Sequence, residues 1–296
     1  MNQPAGLITP PSTILPALRW AEDVLRKGRI DEARLTAELL MCHLLGCERI
    51  RLYVEFEKIL RGDEVDAFVG LIRRRLSHEP LQYITGETDF MGIRINVDRR
   101  VLIPRPETEV LTEEMLGYCR GRGPSPLRIL DVGVGSGNIA VALAHYHPPA
   151  DIVGVDISQD ALDVAGSNIR RHNLEGRISL LRADVLRDEL PFREGRFDAI
   201  VSNPPYIPSA EMAGLDPEIR LFEPAIATTD GGDGLSFFRR LAVIATSLLA
   251  EGGVLMVETA YNQARGVERI FLGRSLRDTG VARDLSGIER VVSGKK

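Results

Sequence analysis

From Arg128 onward the chain alternates short apolar, β-branched runs with helix-length stretches. Arg128–Val132, Asp151–Val155, Arg177–Leu181, Phe197–Val201 and Gly253–Val257 read as strands. Parallel strands need long crossovers, and the helices that supply them cover both sheet faces. The alternation therefore predicts an α/β fold with a mainly parallel, Rossmann-like sheet. In such folds the ligand lies beyond the carboxyl ends of the strands. The loops after Val132, Val155, Leu181 and Val201 are where chemistry is expected.

Upstream the period changes. Leu15, Leu18 and Val24, then Leu35, Leu39 and Leu40, then Val65, Phe68, Val69, Ile72 and Leu76 recur at helical spacing. Asp31 and Asp63 read as N-caps, and Gly28 and Gly46 as stops, so residues 1–85 are expected to form a small helical bundle. Residues 86–106 read as a linker carrying a β-hairpin that turns near Met91-Gly92. Pro106-Glu107 opens a helix to about Arg120, within a catalytic domain spanning 107–296. With 296 residues, 44% of them hydrophobic, the chain can build two cores.

Several function classes drop out. No apolar run approaches the roughly 20 residues of a membrane helix, and the N-terminus lacks the features of a signal peptide; the expectation is a cytoplasmic protein with no membrane partner. Cys42, Cys47 and Cys119 form no CxxC pair, and His145 and His147 have no third ligand nearby, so no metal is expected. The net charge is −5, and residues 1–85 hold equal numbers of basic and acidic side chains, which argues against direct nucleic-acid binding. The run Arg73-Arg74-Arg75 reads as a solvated helix face or a local basic patch.

The loop after the first strand, "LDVGVGSGNIA", carries Gly133, Val134, Gly135, Ser136 and Gly137 at the start of a helix. Its glycines allow a tight turn and close approach of a ligand to the backbone. A P-loop is excluded because no Gly-Lys-Ser/Thr follows, and a dinucleotide fingerprint fits poorly, with Asn138 or Ala140 at its third glycine. The loop together with "GVDIS" resembles the first two motifs of class I methyltransferases. The resemblance implies S-adenosyl-L-methionine as cofactor, with S-adenosyl-L-homocysteine as its product. Asp156, about 20 residues beyond the loop, can accept the ribose hydroxyls, although Asp156 or Ser158 could also serve as a helix N-cap. In "RADVL" the same resemblance gives Asp184 the adenine amino group and Val185 the ring face; Asp184 also reads as an ordinary turn residue.

The fourth strand ends in "SNPPYIP". Asn203-Pro204-Pro205-Tyr206 resembles the motif of methyltransferases that modify planar, conjugated nitrogen. The lone pair of such a nitrogen is delocalised, and two fixed acceptors, the Asn203 side-chain oxygen and the Pro204 carbonyl, would hold its N–H groups and raise its electron density. The prolines preorganise the acceptors, and Tyr206 offers a stacking face.

The whole chain further resembles the HemK-type protein-(glutamine-N5) methyltransferases. The matching pieces are "EPLQYITGETDF", "LIPRPETE", "LDVGVGSGNIA", "GVDIS", "FDAIVSNPPYIP", "EPAIATTDGGDGL" and "DLSGIERVV". The resemblance implies a helical domain that engages class 1 peptide chain release factors and a catalytic domain that methylates the glutamine of their Gly-Gly-Gln loop. Carried over, Gly133, Val134, Gly135, Ser136, Gly137, Asp156, Asp184, Val185 and Asn203 would contact the cofactor. Asn203, Pro204, Pro205 and Tyr206 would hold the glutamine, with Asn203, Pro204 and Tyr206 carrying catalysis. Arg105 and Glu107 are expected at the joint, chiefly in an ion pair between domains. Val134 and Val185 depart from the commoner family residues, as does Thr259-Ala260 after Glu258. The same corner could methylate adenine N6 in DNA or RNA. A cofactor-binding regulator without turnover and a dinucleotide oxidoreductase are further readings.

Overall fold

The helical spacing of the N-terminal segment closes into a bundle. The computed structural model describes residues 12–123 and 125–296. The chain divides into two units, one reaching to Gly86 and also taking in Pro217–Phe222, the other made of Glu87–Asp216 and Glu223–Lys296.

In the first unit α1 (Ile14–Lys27), α2 (Ala33–Leu45), α3 (Arg49–Val54), α4 (Gly62–Leu76) and α5 (Leu81–Thr85) follow one another. Leu18, Leu25, Leu40, Met41, Phe68 and Ile72 share its core. Gly28 and Gly46 close α1 and α2, Gly46 in the left-handed region that spares glycine the usual Cβ penalty. The two expected N-caps are displaced. Glu32, not Asp31, stands at the N-cap position of α2 and Arg61 at that of α4, neither with a side-chain capping bond; at α4, Glu64 reaches back to accept the Arg61 N–H at 2.8 Å, and the helix starts before Asp63. The arginine run is neither a free face nor a basic patch at two of its positions. Arg74 is paired with Glu79, and Arg75 is buried, donating to the Glu79 carbonyl and to Glu218 of α9 (Pro217–Phe222).

The second unit opens with the antiparallel hairpin β1 (Glu87–Phe90) and β2 (Ile93–Asn96). Met91 and Gly92 both have positive φ, as a twist-matched two-residue turn requires. After α6 (Pro106–Gly121) come β3 (Arg128–Val132), α7 (Asn138–Tyr146), β4 (Asp151–Asp156), α8 (Gln159–Arg171), β5 (Ile178–Arg182) and β6 (Phe197–Ser202). Then follow α10 (Ala225–Thr228), α11 (Ser236–Leu248), β7 (Leu249–Glu258), α12 (Ala264–Leu272), β8 (Arg277–Arg283) and β9 (Glu289–Lys295). The sheet order is β5-β4-β3-β6-β7-β9-β8; β3 to β7 run parallel, and β9 is antiparallel to both β7 and β8. This is the class I methyltransferase fold.

The strands run past their expected ends: β6 continues to Ser202, β4 to Asp156, and β7 starts at Leu249. Two strands, β8 and β9, were not legible in the chain. β8 reads Arg-Asp-Thr-Gly-Val-Ala-Arg, with no core-facing apolar run, and is an edge strand held by its ladder to β9. Val132, Val155, Ile200, Leu255 and Val257 pack with Phe238, Leu241 and Phe271 into one core. From β3 the strands spread to β4 on one side and β6 on the other, so the loops after β3 and β6 meet at the topological switch point. Among the described residues, no helix is long and apolar enough to cross a membrane.

Candidate active site

Gly133, Gly135 and Gly137 all have positive φ, and backbone bonds from Gly133 and Val134 to the Val155 carbonyl seat the loop against β4. Gly137, at 82°, caps α7, where an added Cβ would stand 3.3 Å from that of Ala165. Gly154 leaves room for Val134, since a Cβ there would lie 2.8 Å from its side chain. Asn168 of α8, fully buried and absent from the sequence-based candidates, ties the loop down. It donates to the carbonyls of Ser136 at 2.8 Å and Asn96 at 3.0 Å, and accepts the Asn96 N–H.

Asp156 ends β4. Its two carboxylate oxygens accept the N–H groups of Gly135 at 3.0 Å and Ser158 at 2.9 Å. Burial raises its carboxyl above the ordinary range, with these backbone bonds acting the other way. Ser158, not Asp156, is the N-cap of α8, accepting from Ala161 at 3.2 Å. Each Asp156 oxygen keeps acceptor capacity for a second donor such as a hydroxyl. Asp184 accepts the Leu186 N–H at 3.0 Å, as a turn residue does, while also facing the cleft; Val185 is buried in the core cluster.

The corner after β6 lies beside the glycine loop, for a Cβ on Gly133 would stand 3.9 Å from the Asn203 carbonyl oxygen. Asn203 Nδ2 donates to Thr108 Oγ1 at 3.0 Å, Thr108 Oγ1 to Glu258 Oε2 at 2.6 Å, and the Tyr206 hydroxyl to Glu258 Oε1 at 3.0 Å. Among the described residues, none donates to Asn203 Oδ1. Thr108 sits in the first turn of α6 and Glu258 ends β7, both almost wholly buried. The Tyr206 carbonyl accepts from Gln263 Nε2 at 2.9 Å. The sequence assigns no role to Thr108, Glu258 or Gln263, although Thr108 lies inside "LIPRPETE" and Glu258 precedes the departing Thr259-Ala260.

These loops border a cleft of about 240 Å³. Gly133, Val134, Gly135, Ser136, Asp156, Asp184, Val185, Asn203 and Pro205 line it; Gly137, Pro204 and Tyr206 lie outside the lining, Pro204 buried and Tyr206 half-buried against the core. Residues in 100–104 and 224–230 form two further walls; the chain alone gives them no role, though they fall in or beside "LIPRPETE" and "EPAIATTDGGDGL". Arg105 does not pair across units. Its Nη2 lies 2.7 and 2.8 Å from the two oxygens of Glu223, and Glu107 lies 3.6 Å from Arg290, all within the second unit.

A family model described as PrmC N-terminal domain matches residues 16–86, and one described as Methyltransferase domain matches 129–220. A release factor glutamine methyltransferase of Geobacter sulfurreducens is 43% identical over 283 residues, 96% of this chain and 96% of that one. Its counterpart from Chlorobaculum tepidum is 44% identical over 270 residues, 90% of this chain and 91% of the relative. A methyltransferase from Pyrococcus furiosus, 15% identical, matches in structure with a TM-score of 0.50 over 70% of this chain and 90% of that one, a likeness of fold. With such identity running through both units and nearly end to end in each relative, the chain belongs to the release factor glutamine methyltransferase family.

Proposed function

We propose that the chain transfers a methyl group from S-adenosyl-L-methionine to the side-chain amide nitrogen (N5) of the glutamine in the Gly-Gly-Gln motif of class 1 peptide chain release factors. The observation that carries this reading is the arrangement of Asn203, whose Nδ2 is committed to Thr108 so that Oδ1 is left as an acceptor in the cleft beside the glycine loop.

The residues present suit the cofactor. Gly133, Gly135 and Gly137 allow close approach of its methionine part, Asp156 accepts the ribose hydroxyls, and Val134, Val155 and Val185 offer apolar surface to the adenine, with Asp184 at the amino group. When bound, the cofactor would supply a methyl group on a positively charged sulfur: the sulfur–methyl bond breaks to leave S-adenosyl-L-homocysteine as a neutral thioether, and the methylated nitrogen releases one of its two protons after the transfer, so no general base is needed to start it. Asn203 Oδ1 holds one N–H group of the substrate amide, and the carbonyl of Pro204, a residue buried just outside the cleft lining, holds the other. That geometry concentrates the nitrogen lone pair and directs it into the cleft. Pro204 and Pro205 keep both acceptors rigid, so little reorganisation is needed on binding. Tyr206 flanks the planar group, and the helical unit, residues 1–85, engages the release factor.

Incubation with methyl-labelled cofactor and a purified class 1 release factor tests the reading. Label is expected on the loop glutamine, and a release factor with that glutamine changed to alanine should stay unlabelled; equal labelling of the two would refute it.

A further inference from the structure

An asparagine side chain is an acceptor in only one of its two amide orientations. In the other, Asn203 would turn N–H groups toward a substrate nitrogen that itself only donates, and the corner would repel the amide it should hold. What sets the orientation is Thr108 in the wall of the cleft, with Glu258 beyond it. Thr108 Oγ1 carries a single hydrogen and stands between Asn203 Nδ2, at 3.0 Å, and Glu258 Oε2, at 2.6 Å. An ionised Glu258 can only accept, so the Thr108 hydrogen points to Glu258 and the Thr108 lone pair receives Asn203 Nδ2–H. The Tyr206 hydroxyl gives its hydrogen to the other oxygen, at 3.0 Å.

We propose that Thr108 and Glu258 are positioning residues for the reaction, and that the ionised form of Glu258 is the state that holds both Asn203 and Tyr206 in their working orientations. The inference rests on the proposed methyl transfer to an amide. A proton on Oε2 would be donated to Thr108 and leave the Thr108 hydrogen without its acceptor; that hydrogen regains one at Asn203 only if the amide flips to present Oδ1. A proton on Oε1 would instead be donated to the Tyr206 hydroxyl, reversing that bond and leaving the Tyr206 hydrogen without its acceptor. Either way one part of the corner is lost.

The surroundings decide when the proton arrives. Burial is the main influence on Glu258; Glu107 also disfavours its charge, while Arg290 and the two hydroxyl donors, Thr108 and Tyr206, favour it, and the carboxyl is pushed up to about 7. A group with a raised pKa is ionised only above it. The competent fraction therefore rises as pH increases through about 7 and falls below it.

Three variants and one spectroscopic signal test this. Thr108→Val should lower kcat on the order of 10²-fold, as misplacement of a reacting group does, with KM for S-adenosyl-L-methionine unchanged. Thr108→Ser, which keeps the hydroxyl, should restore most of the rate. Glu258→Gln cannot accept from both hydroxyls without a donor of its own pointing at one of them. It should be slower at every pH and lack the rise near pH 7 seen in the unaltered protein. The Asn203 side-chain amide resonance, assigned by its loss in Asn203→Ala, should shift with pH through about 7 in the unaltered protein and cease to do so in Thr108→Val. Equal kcat in Thr108→Val and Thr108→Ser, a rise near pH 7 that survives in Glu258→Gln, or an amide resonance that does not respond to pH would each overturn the proposal. The resonance needs no substrate, so an unlabelled release factor would refute the substrate reading while leaving this measurement decisive for Thr108 and Glu258.

Discussion

At the scale of single residues, Asn203 divides its amide between two tasks, Nδ2 toward Thr108 and Oδ1 toward the cleft. Asp156 divides its carboxylate similarly, holding Gly135 and Ser158 while keeping acceptor capacity for a ligand. The two side chains serve different molecules, so their loss should be separable. Asn203→Ala is expected to leave cofactor affinity within a few-fold while transfer falls by roughly 10²–10³, the effect of deleting one preorganised polar group at a reacting centre. Isothermal calorimetry with S-adenosyl-L-homocysteine and single-turnover rates would check the pair of outcomes; a large loss of affinity with an intact chemical step would assign Asn203 to the cofactor instead. This division was partly legible in the chain, because Asn-Pro-Pro-Tyr at a strand end names its own acceptors. The side chain that turns the asparagine was not, since Thr108 lies 95 residues away.

At the scale of elements, the corner after β6 is held by the loop from Asp230 to Ser236. Asp230 accepts the N–H groups of Gly232 at 2.8 Å and of Gly234 and Ser236 at 3.0 Å each. Burial opposes its charge, but these bonds outweigh it and hold the carboxyl below the ordinary range. Folded this way, the loop presses Gly234 on the corner: a Cβ there would stand 2.3 Å from the Tyr206 carbonyl oxygen, at a φ of +77°. Gly231 has nearly the same φ, +74°, with no atom within 4 Å of such a Cβ. Gly231→Ala should therefore cost about 1–2 kcal/mol of backbone strain and leave catalysis intact. Gly234→Ala adds a backbone collision to the same strain. It should cost more in urea unfolding and, by displacing Tyr206 and its neighbours, abolish most of the transfer activity. Similar losses in both variants would remove the loop's role as a brace. The sequence "DGGDGL" shows a turn; which of its glycines touches another segment depends on a loop nearly 30 positions earlier in the chain.

At the scale of the whole molecule the chain has two units, and the residues that line the cleft all belong to the second. A ligand that binds only the folded second unit should stabilise that unit by about 2.7 kcal/mol at 100 times its Kd. Hydrogen exchange with saturating S-adenosyl-L-homocysteine is expected to slow in β3, β4 and β6 and to stay unchanged in α1, α2 and α4. Equal protection throughout both units would mean that they unfold as one. Two of the buried acids, Glu38 in the bundle and Glu258 in the sheet, stand under opposite regimes. Around Glu38 burial is outweighed by bonds from Tyr53, Arg49 and Arg34, which keep it charged; around Glu258 burial prevails.

The sequence by itself determined the strand and helix alternation, the bundle before it, the glycine turn and the rigid acceptor corner. Each of these is written in neighbouring residues, through apolar period, glycine torsion and proline geometry. It also carried the family, through motifs spread along the chain. Only the tertiary structure decided which polar groups meet: Thr108 with Glu258 across 150 positions, Arg105 with Glu223 inside one unit, Asn168 beneath the glycine loop, and β8 on the edge of a sheet its own residues do not specify. The physical reason is that a hydrogen bond is chosen by position and direction in space. Positions brought together by the sheet leave no periodic trace along the chain.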